Sequence, residues 1–108
     1  MMIARVGSAL AGLLISSWHA AATAADCAVE AGMLAREQSE LPRLEVASPA
    51  DRPPYCITLE TVMGFANRVR THVAHCPSSD FAMTAADWSR KRHDYAQLFS
   101  RYRCKRTR

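Results

Sequence analysis

Residues 53–77 read PPYCITLETVMGFANRVRTHVAHCP, and the fold turns on what Cys56 and Cys76 are tied to. Leu59, Val62, Ala66, Val69, Val73 and Cys76 recur at steps of three and four, with Met63 on the same stripe. Ile57, Thr61, Arg68, Thr71 and His75 fall on the opposite side. That period is the mark of an amphipathic helix with one buried and one wet face. Asp51 stands at the N-cap position. Pro53 and Pro54 suit an opening turn, where a missing N–H costs little, and Pro77 ends the helix. Gly64 either costs roughly 1 kcal/mol against alanine or marks a close approach by another helix.

A helix rises ~1.5 Å per residue, so Cys56 and Cys76 stand about 30 Å apart. A disulfide needs Cα atoms within about 7 Å. These two cysteines therefore cannot pair with each other, and each end of the helix is tied to something else.

The other two cysteines are Cys27 and Cys104. An even number in a short chain, with no C-x-x-C, reads as a disulfide framework rather than a zinc site. Residues 84–103, TAADWSRKRHDYAQLFSRYR, form a second helix. Thr84 and Asp87 suggest a capping box, and Ala85, Trp88, Tyr95, Phe99 and Tyr102 make its stripe, interrupted by Arg92. The short turn from Pro77 to Met83 makes the two helices antiparallel neighbours and returns Cys104 to the level of Cys56. A shorter helix over residues 27–40 carries Cys27, Ala31 and Leu34. The proline-bearing stretch from Glu40 to Tyr55 is a strap. The expected pairs are Cys27–Cys76 and Cys56–Cys104; the surviving rival joins Cys27 to Cys56 and Cys76 to Cys104. The expected fold is all-α: a small three-helix, disulfide-stapled bundle built on an antiparallel helical hairpin.

The compartment follows from the opening residues. Arg5, the apolar run Val6–Ser17 and the small residues up to Ala25 make the pattern of a cleaved signal peptide over residues 1–25. The run is shorter than the ~20 residues of a spanning helix, so no transmembrane segment is expected after cleavage. Residues 26–108 then form one small domain in the periplasm or secreted medium, where disulfides persist.

Charge is uneven. Residues 26–83 carry five basic and eight acidic groups, whereas residues 84–108 carry eight basic and two acidic. Arg101, Arg103, Lys105, Arg106 and Arg108 cluster at the C-terminal end as a candidate polyanion-binding group. The alternative is internal neutralisation, with Glu30, Glu37 and Glu40 of the first helix facing the basic last helix.

Chemistry is hard to find. His72, His75 and Cys76 come nearest to a metal cluster, but Cys76 is expected to be oxidised and no third ligand is evident. Surface histidines on a wet face are the ordinary case, so neither a metal site nor a cofactor is expected. No G-x-S-x-G, no glycine-rich phosphate loop and no pair of carboxylates at a catalytic spacing around Glu60 appears in the sequence. The chain reads as a non-enzymatic exported binding module of the inhibitor, immunity or accessory type, with another protein as partner. The alternative is a cationic protein that binds an anionic envelope or membrane surface. Nucleic acid is not an expected partner, because export separates the two.

Overall fold

The computed structural model describes residues 23–106. The expected signal peptide lies outside them except for its last three residues, and Arg108 lies outside them too. Three helices make the architecture: α1 (Ala24–Ser39), α2 (Arg52–His75) and α3 (Ala85–Arg101). Short 3-10 turns at Leu44–Val46 and Asp80–Met83 punctuate the two connections. The described residues contain no strand. The cysteines pair Cys27 with Cys76 and Cys56 with Cys104, with Cα atoms 5.8 and 5.5 Å apart. The two staples hold opposite ends of α2, so α1 and α3 both run antiparallel to it.

Being covered from two sides changes what α2 buries. Leu59, Val62, Ala66, Val69 and Cys76 are buried, as the stripe requires. So are Tyr55, Thr58, Phe65 and His72, which stand one step beside it. Tyr55, Thr58, Val62, Phe65, Val69, His72 and Cys76 form a second seam at steps of three and four. A helix with one neighbour needs one seam; a central helix needs two. Leu34 of α1, Phe65 and Val69 form a buried cluster, with Leu41, Val73, Phe81 and Trp88 packed around it. The Phe65 and Trp88 rings meet edge to face, 4.7 Å between centroids. The Tyr55 and Tyr102 rings do the same at 5.2 Å.

α3 has no fully buried residue. It lies on the outside of the pair, with Trp88, Tyr95, Leu98, Phe99 and Tyr102 half-buried. Arg92 also lies on that face, and its Nε is buried without a hydrogen-bond partner among the described residues. The charge that breaks the sequence stripe thus leaves a buried polar atom unpartnered on that face.

The structure decides three local expectations. Asp51 takes the N-cap position of α2, but its side chain makes no capping bond. The Thr84–Asp87 capping box does not form. Thr84 also closes the preceding 3-10 turn, and its hydroxyl donates back to the Phe81 carbonyl at 3.4 Å. Gly64 does not admit a neighbouring helix: a Cβ there would meet only the Arg68 guanidinium, at 3.4 Å.

The C-terminus of α3 closes by a Schellman motif. The Cys104 N–H donates to the Phe99 carbonyl at 2.9 Å and the Arg103 N–H to the Ser100 carbonyl at 3.1 Å. The motif needs a left-handed residue, usually glycine. Arg103 supplies it at φ 53°, and Cys104, the next residue, is the one stapled to Cys56.

Candidate functional site

The Cys27–Cys76 staple sets the register between α1 and α2, and the site follows from that register. Glu30 lies one turn beyond Cys27. His72 lies one turn before Cys76. Running antiparallel, the two meet: His72 Nδ1 contacts Glu30 Oε1. Further along, Leu34 meets Val69 in the core, and Glu37 meets Arg68. The Arg68 Nε and a terminal guanidinium nitrogen both donate to Glu37 Oε1, at 2.8 and 2.7 Å.

His72 is only 1% exposed. Its two ring nitrogens are both occupied: Nδ1 by Glu30 Oε1 and Nε2 by Ser79 Oγ at 2.7 Å. Ser79 is held in turn, because its Oγ accepts the Phe81 N–H at 3.2 Å. The His72 ring also packs edge-on against Phe81, with centroids 5.9 Å apart. Burial of an imidazole in a thin bundle is tolerable because every polar atom has a partner.

His75, one turn along the same helix, brings Nε2 to 3.0 Å from the same Glu30 Oε1. One carboxylate oxygen thus faces two imidazoles. The hydrogen bond from His72 holds the Glu30 carboxyl below its ordinary 4.5; burial opposes this and His75 adds to it. Glu30 and His75 are half-open to solvent, at 45% and 40% side-chain exposure, while His72 closes the back of the site. Ligand atoms of Glu30, His72, His75 and Cys76 all lie within 4.8 Å of one another. The Cys76 sulfur is committed to Cys27, which leaves two imidazole nitrogens and a carboxylate as donors.

The local sequence offers His72 and His75 without a third ligand and puts both on the wet face. The missing group is Glu30, forty-two positions earlier. Nothing in its local pattern separates it from Glu37 or Glu40. Only the staple's register does so.

The candidate polyanion-binding residues lie at the other end of α2. Arg101, Arg103, Lys105 and Arg106 are exposed, and none forms an ion pair within the described residues. The expected alternative, acidic α1 against basic α3, is corrected: Glu30 and Glu37 are engaged by α2 instead.

On the outer side of the α1–α2 contact, Val29 and Met33 stand one turn apart, 64% and 68% exposed. Together with Gly64, Asn67 and Thr71 of α2 they line a groove between the two helices. No family model matches this chain, and neither a curated protein nor a solved structure proved significantly similar to it.

Proposed function

We propose that this chain is an exported, disulfide-stapled binding module that acts on another protein without catalysing a reaction. The observation that carries this reading is the Val29–Met33 ridge. Two large apolar side chains on successive turns stand open to solvent, on a helix that a disulfide holds to its neighbour. An apolar ridge beside polar groups, presented rigidly, suits a protein partner, because little ordering is required on binding. The two disulfides are compatible with an oxidising compartment outside the cytosol, and no described helix is long and apolar enough to cross a membrane.

The test is affinity capture from the exported fraction with the oxidised protein and with a Val29→Glu/Met33→Glu variant. A stoichiometric partner held by the wild type and lost by the variant is the expected result. Recovery of none, or equal recovery by both, removes the proposal.

A second reading rests on the basic end. Its four described cations form no ion pair among the described residues, which favours an anionic surface as ligand. Binding to acidic vesicles should weaken steeply with salt and vanish when residues 105–108 are removed. Binding indifferent to both rules this reading out.

A further inference from the structure

We propose that Glu30, His72 and His75 form a site for a divalent transition-metal ion of the zinc class, with a coordination position left open to solvent. The proposal does not depend on the protein-binding reading.

The donor set comes first. Two imidazoles and one carboxylate suit Zn²⁺, and by the same chemistry Cu²⁺ or Ni²⁺. They do not suit Ca²⁺, which takes six to eight oxygens. They do not suit a thiolate-seeking ion either, since Cys76 is oxidised. Three protein ligands plus a fourth, exchangeable position is the familiar form of an open zinc site.

Geometry comes next. Bonds of ~2.0–2.1 Å at tetrahedral angles place donors roughly 3.3 Å apart. His75 Nε2 and Glu30 Oε1 are 3.0 Å apart, and every donor lies within 4.8 Å of the others. Small side-chain rotations therefore admit an ion. His72 and His75 share one helix at a spacing of three, and the Cys27–Cys76 staple fixes Glu30 against them. The site is preorganised by a covalent bond that is not itself a ligand.

The outer partner is the most telling feature. Ser79 Oγ lies 2.7 Å from His72 Nε2. In the neutral tautomer that donates Nδ1–H to Glu30, Nε2 is the atom that accepts the serine O–H. With an ion on Nδ1, the ring proton moves to Nε2 and donates to the serine oxygen. A hydroxyl can donate or accept, so Ser79 satisfies the ring in both states. A buried histidine that binds metal requires such a partner to set its tautomer and orientation. Ser79 is itself aimed by the Phe81 N–H. The half-exposed His75 and Glu30 supply the entry path.

Titration of the oxidised protein with Zn²⁺, followed by calorimetry and by the thermal midpoint, tests the proposal. One ion per chain and a raised midpoint are expected, with Ca²⁺ and Mg²⁺ inert. His75→Ala and Glu30→Ala change half-exposed side chains and should keep the helical circular dichroism, Glu30→Ala with a lower thermal midpoint because it orphans His72 Nδ1, while weakening Zn²⁺ binding by tenfold or more. Ser79→Ala should weaken it ~10–100-fold, the usual cost of losing an outer-shell partner. Co²⁺ in place of Zn²⁺ should give a four- or five-coordinate visible spectrum without a thiolate charge-transfer band. Absence of Zn²⁺ binding overturns the proposal. So does undiminished affinity in both His75→Ala and Glu30→Ala, which would put the ion elsewhere on the chain.

Discussion

The two ends of α2 are built on opposite plans. At its C-terminal end, Cys76 ties down α1, and the space beside the staple holds polar groups: Glu30, His72, His75 and Ser79 in one hydrogen-bonded set. At its N-terminal end, Cys56 ties down α3. There the staple adjoins the Tyr55–Tyr102 ring pair, and the charges point outward. One staple encloses ligand-type atoms; the other fastens an aromatic contact and leaves a cationic tip. The same covalent device thus adjoins a polar set at one end and an aromatic contact at the other. A rod about 36 Å long keeps the two ends independent.

That independence can be broken most forcefully by reduction. The bridges span sequence separations of 49 and 48 residues, for which chain entropy gives about 4 kcal/mol each. Domains of this kind are stable by only about 5–15 kcal/mol in total. Dithiothreitol should therefore unfold the protein or lower its thermal midpoint steeply; a melting curve that ignores it would refute the account. Breaking the bridges singly sharpens the comparison. Cys27→Ala/Cys76→Ala should speed amide exchange in α1 and spare the α2–α3 hairpin, whose rings still meet. Cys56→Ala/Cys104→Ala should instead fray the last turns of α3. Identical exchange patterns in the two variants would erase the distinction between the ends.

Phe65 lies midway and serves both. It is fully buried, clusters with Leu34 of α1 and meets Trp88 of α3. Phe65→Ala should cost about 3–5 kcal/mol in a denaturant melt. A loss below about 1 kcal/mol would mean that the bundle has no common core.

The aromatic end offers two smaller tests. Arg103 holds a left-handed conformation that an L side chain resists. Arg103→Gly should stabilise by about 1 kcal/mol, seen as a higher denaturation midpoint. A decrease would show that the arginine side chain, rather than the backbone, governs that turn. Tyr55 is held above its ordinary 10.0, first by burial and then by Tyr102, with Arg101 opposing. The sign follows from linkage: the folded state prefers the neutral phenol, so its contribution is intact below pH 10 and is lost as pH rises toward the folded value. Wild-type stability should fall above about pH 10, and Tyr55→Phe should flatten that fall; equal alkaline slopes would dismiss Tyr55 as the cause.

How much of this was legible varies by residue. The α2 stripe, both helix stops and the impossibility of a Cys56–Cys76 bond follow from periodicity and the helical rise. Phe65 and Thr58 fall outside the single stripe because one stripe describes a helix with one neighbour, and α2 has two. Thr84 and Asp87 match a capping box letter for letter, yet the 3-10 turn before them turns the hydroxyl away. The second seam that buries Phe65 also takes His72 out of solvent.

From its residues alone, this chain declares three rods, the antiparallel hairpin of the last two and the impossibility of a Cys56–Cys76 bond, because a helix's period and length are local properties of the backbone. Only the folded molecule decides that Glu30, rather than Glu37 or Glu40, stands before His72 and His75. That choice depends on the axial register and rotation of α1 against α2, which no local pattern encodes.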